Sequence, residues 1–263
     1  MKETFIEAAG TRIRMVEEGA GAPVLFLHGN LGSARWFERV MSLSGCRTIA
    51  LDMPNFGASG ALRGELSIDG YADAVADFVV AAGLGHPILV GHSLGGAVAI
   101  SLAARMPASW RGLVLVDSAA PSGLVTPESR HPAIEAMRAS RATLAAALEV
   151  AVPTLGGSAE DRLFLSLLVD DAERMAAAAW IGNAVALGKM DHSGLCPAFP
   201  APVLVLWGAL DVIVTEAMAR ETASAFPGSR FIALEGVGHS VIVEDPGRFL
   251  KIMGDFIAAA PGA

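Results

Sequence analysis

Six short runs of the chain are dominated by apolar residues, and each stops at a glycine, an aspartate or a loop that carries a polar side chain. They span residues 23–27, 47–51, 87–90, 112–116, 202–207 and 229–234. Short, continuously apolar strands mark a parallel sheet buried on both faces, because a half-exposed strand would alternate with polar residues. Helical patterns separate them at 34–43, 67–82, 94–105, 215–226 and 246–260, with Ser67 as a cap for the second. An opening hairpin is expected from 4–8 and 11–17, with Gly10 at its turn. Strands alternating with helices require right-handed crossovers, which predicts a doubly wound α/β sheet. One stretch breaks the rhythm. Residues 119–198 hold helical patterns at 127–140, 141–152, 158–168 and 170–187 and no convincing strand. This predicts a core of 1–118 and 199–263, with a helical lid at 119–198 inserted after the sixth strand and over the carboxyl edge of the sheet.

Composition excludes several classes. The chain has 263 residues, 53% apolar and 17% charged, which argues against disorder. The charge-free stretch 88–104 is nearly long enough to span a bilayer. Its centre holds His92, Ser93, Ser101 and three glycines, which suits a buried strand turning into a buried helix better than a membrane span. Met1–Phe5 has no apolar leader pattern. Two cysteines, Cys46 and Cys196, fit no metal or redox spacing, so a cytoplasmic protein without a metal or other cofactor is expected. Nineteen basic against 27 acidic residues give a net charge of −8 with no basic tract, which disfavours nucleic acid and anionic membranes as partners. A small molecule is the expected partner.

The chemistry is concentrated where the apolar runs end. Gly91-His92-Ser93-Leu94-Gly95 lies between the strand at 87–90 and the helix at 94–105. A sharp turn there lifts the Ser93 hydroxyl out of the backbone, and glycines two residues away on either side let strand and helix approach. A serine hydroxyl needs a base, and the base needs an orienting acid. Of six histidines, His239 sits in a Gly-Val-Gly-His-Ser loop after the last strand, at the edge where Ser93 emerges. His28 and His92 are expected to pack or bond locally, and His131 and His192 to be exposed in the lid. Asp211, after Trp207-Gly208-Ala209-Leu210, has the stronger context as the acid, and Asp117 at the end of the preceding strand competes with it. The N–H of Leu94, at a helix start, and the N–H of Asn30, just beyond His28-Gly29, are the expected donors to an oxyanion.

With these motifs the chain resembles the α/β-hydrolase superfamily in its lidded form. The resemblance also rests on Asp52-Met53-Pro54-Asn55-Phe56-Gly57-Ala58-Ser59, where Asn55 replaces a common glycine and should keep the left-handed turn. It implies an α/β-hydrolase fold and a Ser93–His239–Asp211 triad acting through an acyl-enzyme. Ser93 speaks against haloalkane dehalogenases and epoxide hydrolases, which attack with a carboxylate, although Asn30 resembles a dehalogenase feature. The expected activity is hydrolysis of carboxylic esters of small to medium apolar substrates. A lactonase, a C–C bond hydrolase and a ligand-binding member without turnover are the alternatives. Leu31, Met137, Phe164, Met175, Trp180 and Val212 are the expected pocket lining.

Overall fold

The computed structural model describes residues 1–259; the last residue of the expected closing helix and the end of the Ala-rich tail lie outside them. Eight strands form one sheet in the order β1-β2-β4-β3-β5-β6-β7-β8. β1 (Lys2–Ala8) and β2 (Thr11–Gly19) form the antiparallel hairpin. Ala9 and Gly10, both at positive φ, make its turn, as two-residue hairpin loops require. β2 then pairs antiparallel with β4 (Cys46–Leu51). From β4 onward every pairing is parallel, through β3 (Ala22–Leu27), β5 (Ile88–His92), β6 (Gly112–Val116), β7 (Val203–Gly208) and β8 (Arg230–Leu234). The doubly wound, mostly parallel sheet expected from the apolar runs is therefore present. β5, β6 and β7 are buried at every position, which is why their sequences do not alternate.

Helices α1 (Ile68–Ala81), α2 (Leu94–Arg105), α7 (Glu216–Ala225), α8 (Val241–Glu244) and α9 (Pro246–Ala259) pack around the sheet. Ser67 caps α1 by accepting from the Gly70 N–H at 3.0 Å, satisfying one of the N–H groups a helix start leaves open. The expected helix at 34–43 is instead a 3-10 turn over Ala34–Val40, which buries Trp36, Phe37 and Val40. The charge-free run 88–104 becomes β5, the turn at Ser93 and most of α2. No helix among the described residues is long and apolar enough to cross a membrane.

Between β6 and β7 the chain forms α3 (His131–Ala139), α4 (Arg141–Ala151), α5 (Ala159–Ala172) and α6 (Ala177–Lys189). The break between the last two falls at 173–176, later than the sequence pattern suggested. The Ala176 N–H donates to the Asn55 carbonyl at 2.8 Å and so anchors the start of α6 on the core. Asp171 makes a second anchor, accepting from Ser33 at 2.7 Å and Arg35 at 2.8 Å. His192, expected to be exposed, is buried with Nε2 2.8 Å from Asp69. It pins the segment that returns the chain to β7.

Candidate active site

Ser93 stands between β5 and α2 with φ 52° and ψ −117°, a conformation that L-residues avoid. Its own N–H is held by the Val116 carbonyl at 3.0 Å, and its carbonyl accepts from Gly96 and Ala97. The turn is therefore over-determined by hydrogen bonds, which is what lets a strained residue persist. A side chain at Gly95 would collide with the Leu27 carbonyl oxygen. Across the turn, a Cβ on Gly29 would lie 2.9 Å from the Ser93 Cβ. The loop after β3 thus runs directly against Ser93, and brings Asn30 to the site because Gly29 has no side chain.

His239 follows β8 and is gripped on three sides. Its Nδ1 lies 2.8 Å from Asp211 Oδ2. Its N–H donates to the Ala151 carbonyl at the end of α4, at 2.8 Å. Its carbonyl sits 2.8 Å from His92 Nε2. A carbonyl can only accept, so His92 carries its hydrogen on Nε2. Glu244 braces the same loop. It accepts from the Gly238 and Ser240 N–H groups, each at 3.0 Å, and from the Thr154 hydroxyl at 2.6 Å. Asp211 is itself fixed by the Ile213 and Val214 N–H groups, which donate to Oδ1 at 2.7 and 3.1 Å. Its side chain is fully shielded from solvent.

The competing acid is placed differently. Asp117 is completely buried, with φ 46°, and one oxygen accepts from the Gly208 N–H at 2.7 Å. Burial, reinforced by the neighbouring Asp211, pushes its carboxyl well above the usual carboxylate range. It makes no hydrogen bond to His239 among those described. His92 is neither local in its bonding nor titrating near neutrality. Burial, together with nearby His239, lowers its pKa to about 3, and its ring stacks on Trp36 at 5.2 Å. In the unfolded chain the same ring takes up a proton near 6.5. The unfolded state therefore binds more protons between these values, and stability falls as the pH drops through that window. Buried His28, also lowered by burial, acts in the same direction. Urea midpoints are expected to fall from about pH 7 to about pH 5, and to fall less for His92→Gln.

One cavity of about 240 Å³ unites much of this. Ser93, His239, Asn30, Leu94, Leu31 and Met137 all line it, and Leu124, Ile134, Leu148, Leu187, Ile213 and Val214 are among the other lining residues. No Asp, Glu, Lys or Arg is among the lining residues. Four expected lining residues are elsewhere. Phe164 is buried within the helical insertion under the Arg39 guanidinium, 4.2 Å from its ring. Met175 and Trp180 are also packed inside, where helical spacing of large apolar residues reads the same for a core and a pocket wall. Val212 is 69% exposed, and the following Ile213 and Val214 take the place expected for it. The sequence pattern also missed the His92 and Glu244 contacts. For Glu244 the available signal was its position four residues beyond Ser240.

Comparison with known proteins bears on this site. A model of the alpha/beta hydrolase family matches residues 24–252. The 2-hydroxymuconate semialdehyde hydrolase of Pseudomonas sp. (strain CF600) is 28% identical over 98% of this chain and 94% of its own. The 2-(acetamidomethylene)succinate hydrolase of Mesorhizobium japonicum is 26% identical over 92% of this chain and 90% of its own. Among solved structures, an esterase from Rhodococcus sp. ECU1013 superposes with a TM-score of 0.83 at 26% identity, covering 98% of this chain and 99% of that one.

Proposed function

The chain belongs to the alpha/beta hydrolase family, and from that premise we propose that it is a serine hydrolase of neutral carboxylic esters. The carrying observation is that Ser93 and His239 face one cavity while His239 Nδ1 is hydrogen-bonded to Asp211. With Nδ1 donating to that carboxylate, Nε2 is left as the acceptor a serine proton needs. Ser93 attacks the ester carbonyl, and His239 takes its proton and then passes it to the departing alkoxide. An acyl group remains on Ser93. Water, deprotonated by His239, attacks that acyl group and returns the serine. The N–H groups of Asn30 and Leu94 hold the oxyanion in both halves, and Asp211 stabilises the imidazolium formed in each. The chemistry needs no metal or cofactor.

The lining bears on the substrate. A carboxylate-bearing substrate buried here would meet no cation, and an unpaired buried charge is costly. The names of the two hydrolase relatives point to acidic compounds, and an apolar wall supports a neutral ester over those. The volume supports an acyl or alkyl group of modest size. In a panel of p-nitrophenyl esters, lactones and vinylogous diketones, the neutral short and medium esters are expected to give the highest kcat/KM. A terminal carboxylate on the acyl chain should lower it by about 10²-fold or more. Higher turnover of the acidic diketones than of any neutral ester would overturn this reading.

A further inference from the structure

A buried polar chain runs from the core, through the helical insertion, to the active-site cavity. It starts at the turn after β4, where Asn55 has φ 74°. The Leu62 backbone N–H donates to Asn55 Oδ1 at 3.0 Å. Asn55 Nδ2 donates to the Tyr71 hydroxyl at 3.0 Å. Tyr71 donates to Asn183 Oδ1 on α6 at 2.9 Å. Asn183 Nδ2 donates to Asn30 Oδ1 at 2.8 Å, and also lies 3.9 Å from Met175 Sδ. Tyr71 and Asn183 are fully buried.

The direction of this chain is forced. A carboxamide can present either end with almost the same shape, so its polarity follows from its partners. A backbone N–H can only donate, so the Leu62 N–H fixes Asn55 Oδ1 as the acceptor and Nδ2 as the donor. The Tyr71 hydroxyl has one hydrogen, and with Asn55 donating to its oxygen that hydrogen goes to Asn183. Asn183 then has only N–H groups left, and these claim Asn30 Oδ1. Asn30 lines the cavity with Ser93, and what it has left to offer there is the N–H pair of Nδ2.

We infer that the Asn30 side chain is a third donor to the substrate oxygen on which charge develops, and that Tyr71 and Asn183 are positioning residues that hold its amide in the donating orientation. The inference rests on the serine hydrolase reading. It makes docking of α6 on the core part of the catalytic apparatus. Because the donor acts on developing charge, its loss should appear in kcat more than in KM.

The test is a set of single and double variants on a neutral p-nitrophenyl ester, at a temperature where melting curves show all of them folded. Asn30→Ala is expected to lower kcat by about 10²-fold, as removal of one oxyanion donor does. Tyr71→Phe, which keeps the ring, should lower it about tenfold by freeing the Asn183 amide. Asn183→Asp cannot donate to Asn30 Oδ1, so Asn30 should turn its N–H pair to the new carboxyl and lose kcat about as far as Asn30→Ala. KM should stay within about threefold throughout. Combined with Asn30→Ala, neither Tyr71→Phe nor Asn183→Asp should add a further loss. Additive losses, unchanged kcat in both positioning variants, or a rise in KM alone would each overturn the inference. Two further measurements separate it from the serine hydrolase reading. Failure of a fluorophosphonate to label Ser93 in the native chain counts against that reading. Side-chain amide exchange by NMR tests the chain of bonds independently: Asn183 hydrogens are expected to exchange slowly and Asn30 hydrogens quickly, and the reverse order would overturn the orientation.

Discussion

Ser93→Ala is expected to lower kcat on neutral esters by about 10⁵–10⁶-fold, the scale at which loss of a serine nucleophile leaves only binding and oxyanion stabilisation. The fold should survive, because the groups that hold the turn are backbone groups. The Ser93 N–H stays on the Val116 carbonyl, and its carbonyl still accepts from Gly96 and Ala97. The hydroxyl makes no hydrogen bond among those described, so removing it leaves no buried partner unsatisfied. The melting temperature should therefore move little, while covalent labelling by a fluorophosphonate disappears. Ser93→Gly supplies an independent check of the strain. It should be equally inactive, yet more stable than Ser93→Ala by roughly 1 kcal/mol, since glycine takes positive φ without penalty. Retention of more than about a tenth of native turnover in Ser93→Ala would place the nucleophile elsewhere.

The parts of this site that were legible in the sequence are those set by short-range rules. The strand–turn–helix around Ser93 is written in glycine spacing and in two adjacent runs of opposite periodicity, and both depend on neighbours in the chain. Asn55 at positive φ follows from the tolerance of that one side chain. Trp36, Phe37 and Val40 have helical spacing, so the sequence alone predicts an α-helix where the chain forms the 3-10 turn at Ala34–Val40. Ser33 is turned to Asp171 of the helical insertion, a partner 138 positions away. The lining failed for a related reason. Phe164, Met175 and Trp180 lie on faces whose direction depends on how four helices pack together, and one sequence does not carry that. His92 looked local because its neighbours are a turn motif, yet its ring bonds the carbonyl of His239, 147 positions on. The polar chain from Asn55 to Asn30 was invisible for the same reason, since its residues come from four separate segments.

Replacing Asp211 by Asn separates the two candidate acids most sharply, and the loss expected in kcat is about 10⁴-fold. The structure says why an almost isosteric change should be so damaging. Oδ1 of Asp211 accepts from the Ile213 and Val214 N–H groups, so an asparagine must keep its carbonyl oxygen there. Its NH₂ then occupies the position of Oδ2, facing His239 Nδ1 across 2.8 Å. Two N–H groups cannot face one another, so Nδ1 becomes the bare nitrogen and the ring proton moves to Nε2. That nitrogen can no longer accept the Ser93 proton. KM should change little, because Asp211 does not line the cavity. Asp117→Asn is expected to behave in the opposite way. Burial and the neighbouring Asp211 push its carboxyl toward the neutral form, which an amide of nearly the same shape resembles. The oxygen that accepts from the Gly208 N–H at 2.7 Å is retained in asparagine. Turnover should stay within about threefold of the native chain, an effect below 1 kcal/mol. Parallel kcat measurements on the two variants decide the assignment. A large loss in Asp117→Asn beside a small one in Asp211→Asn would reverse the roles given to the two aspartates.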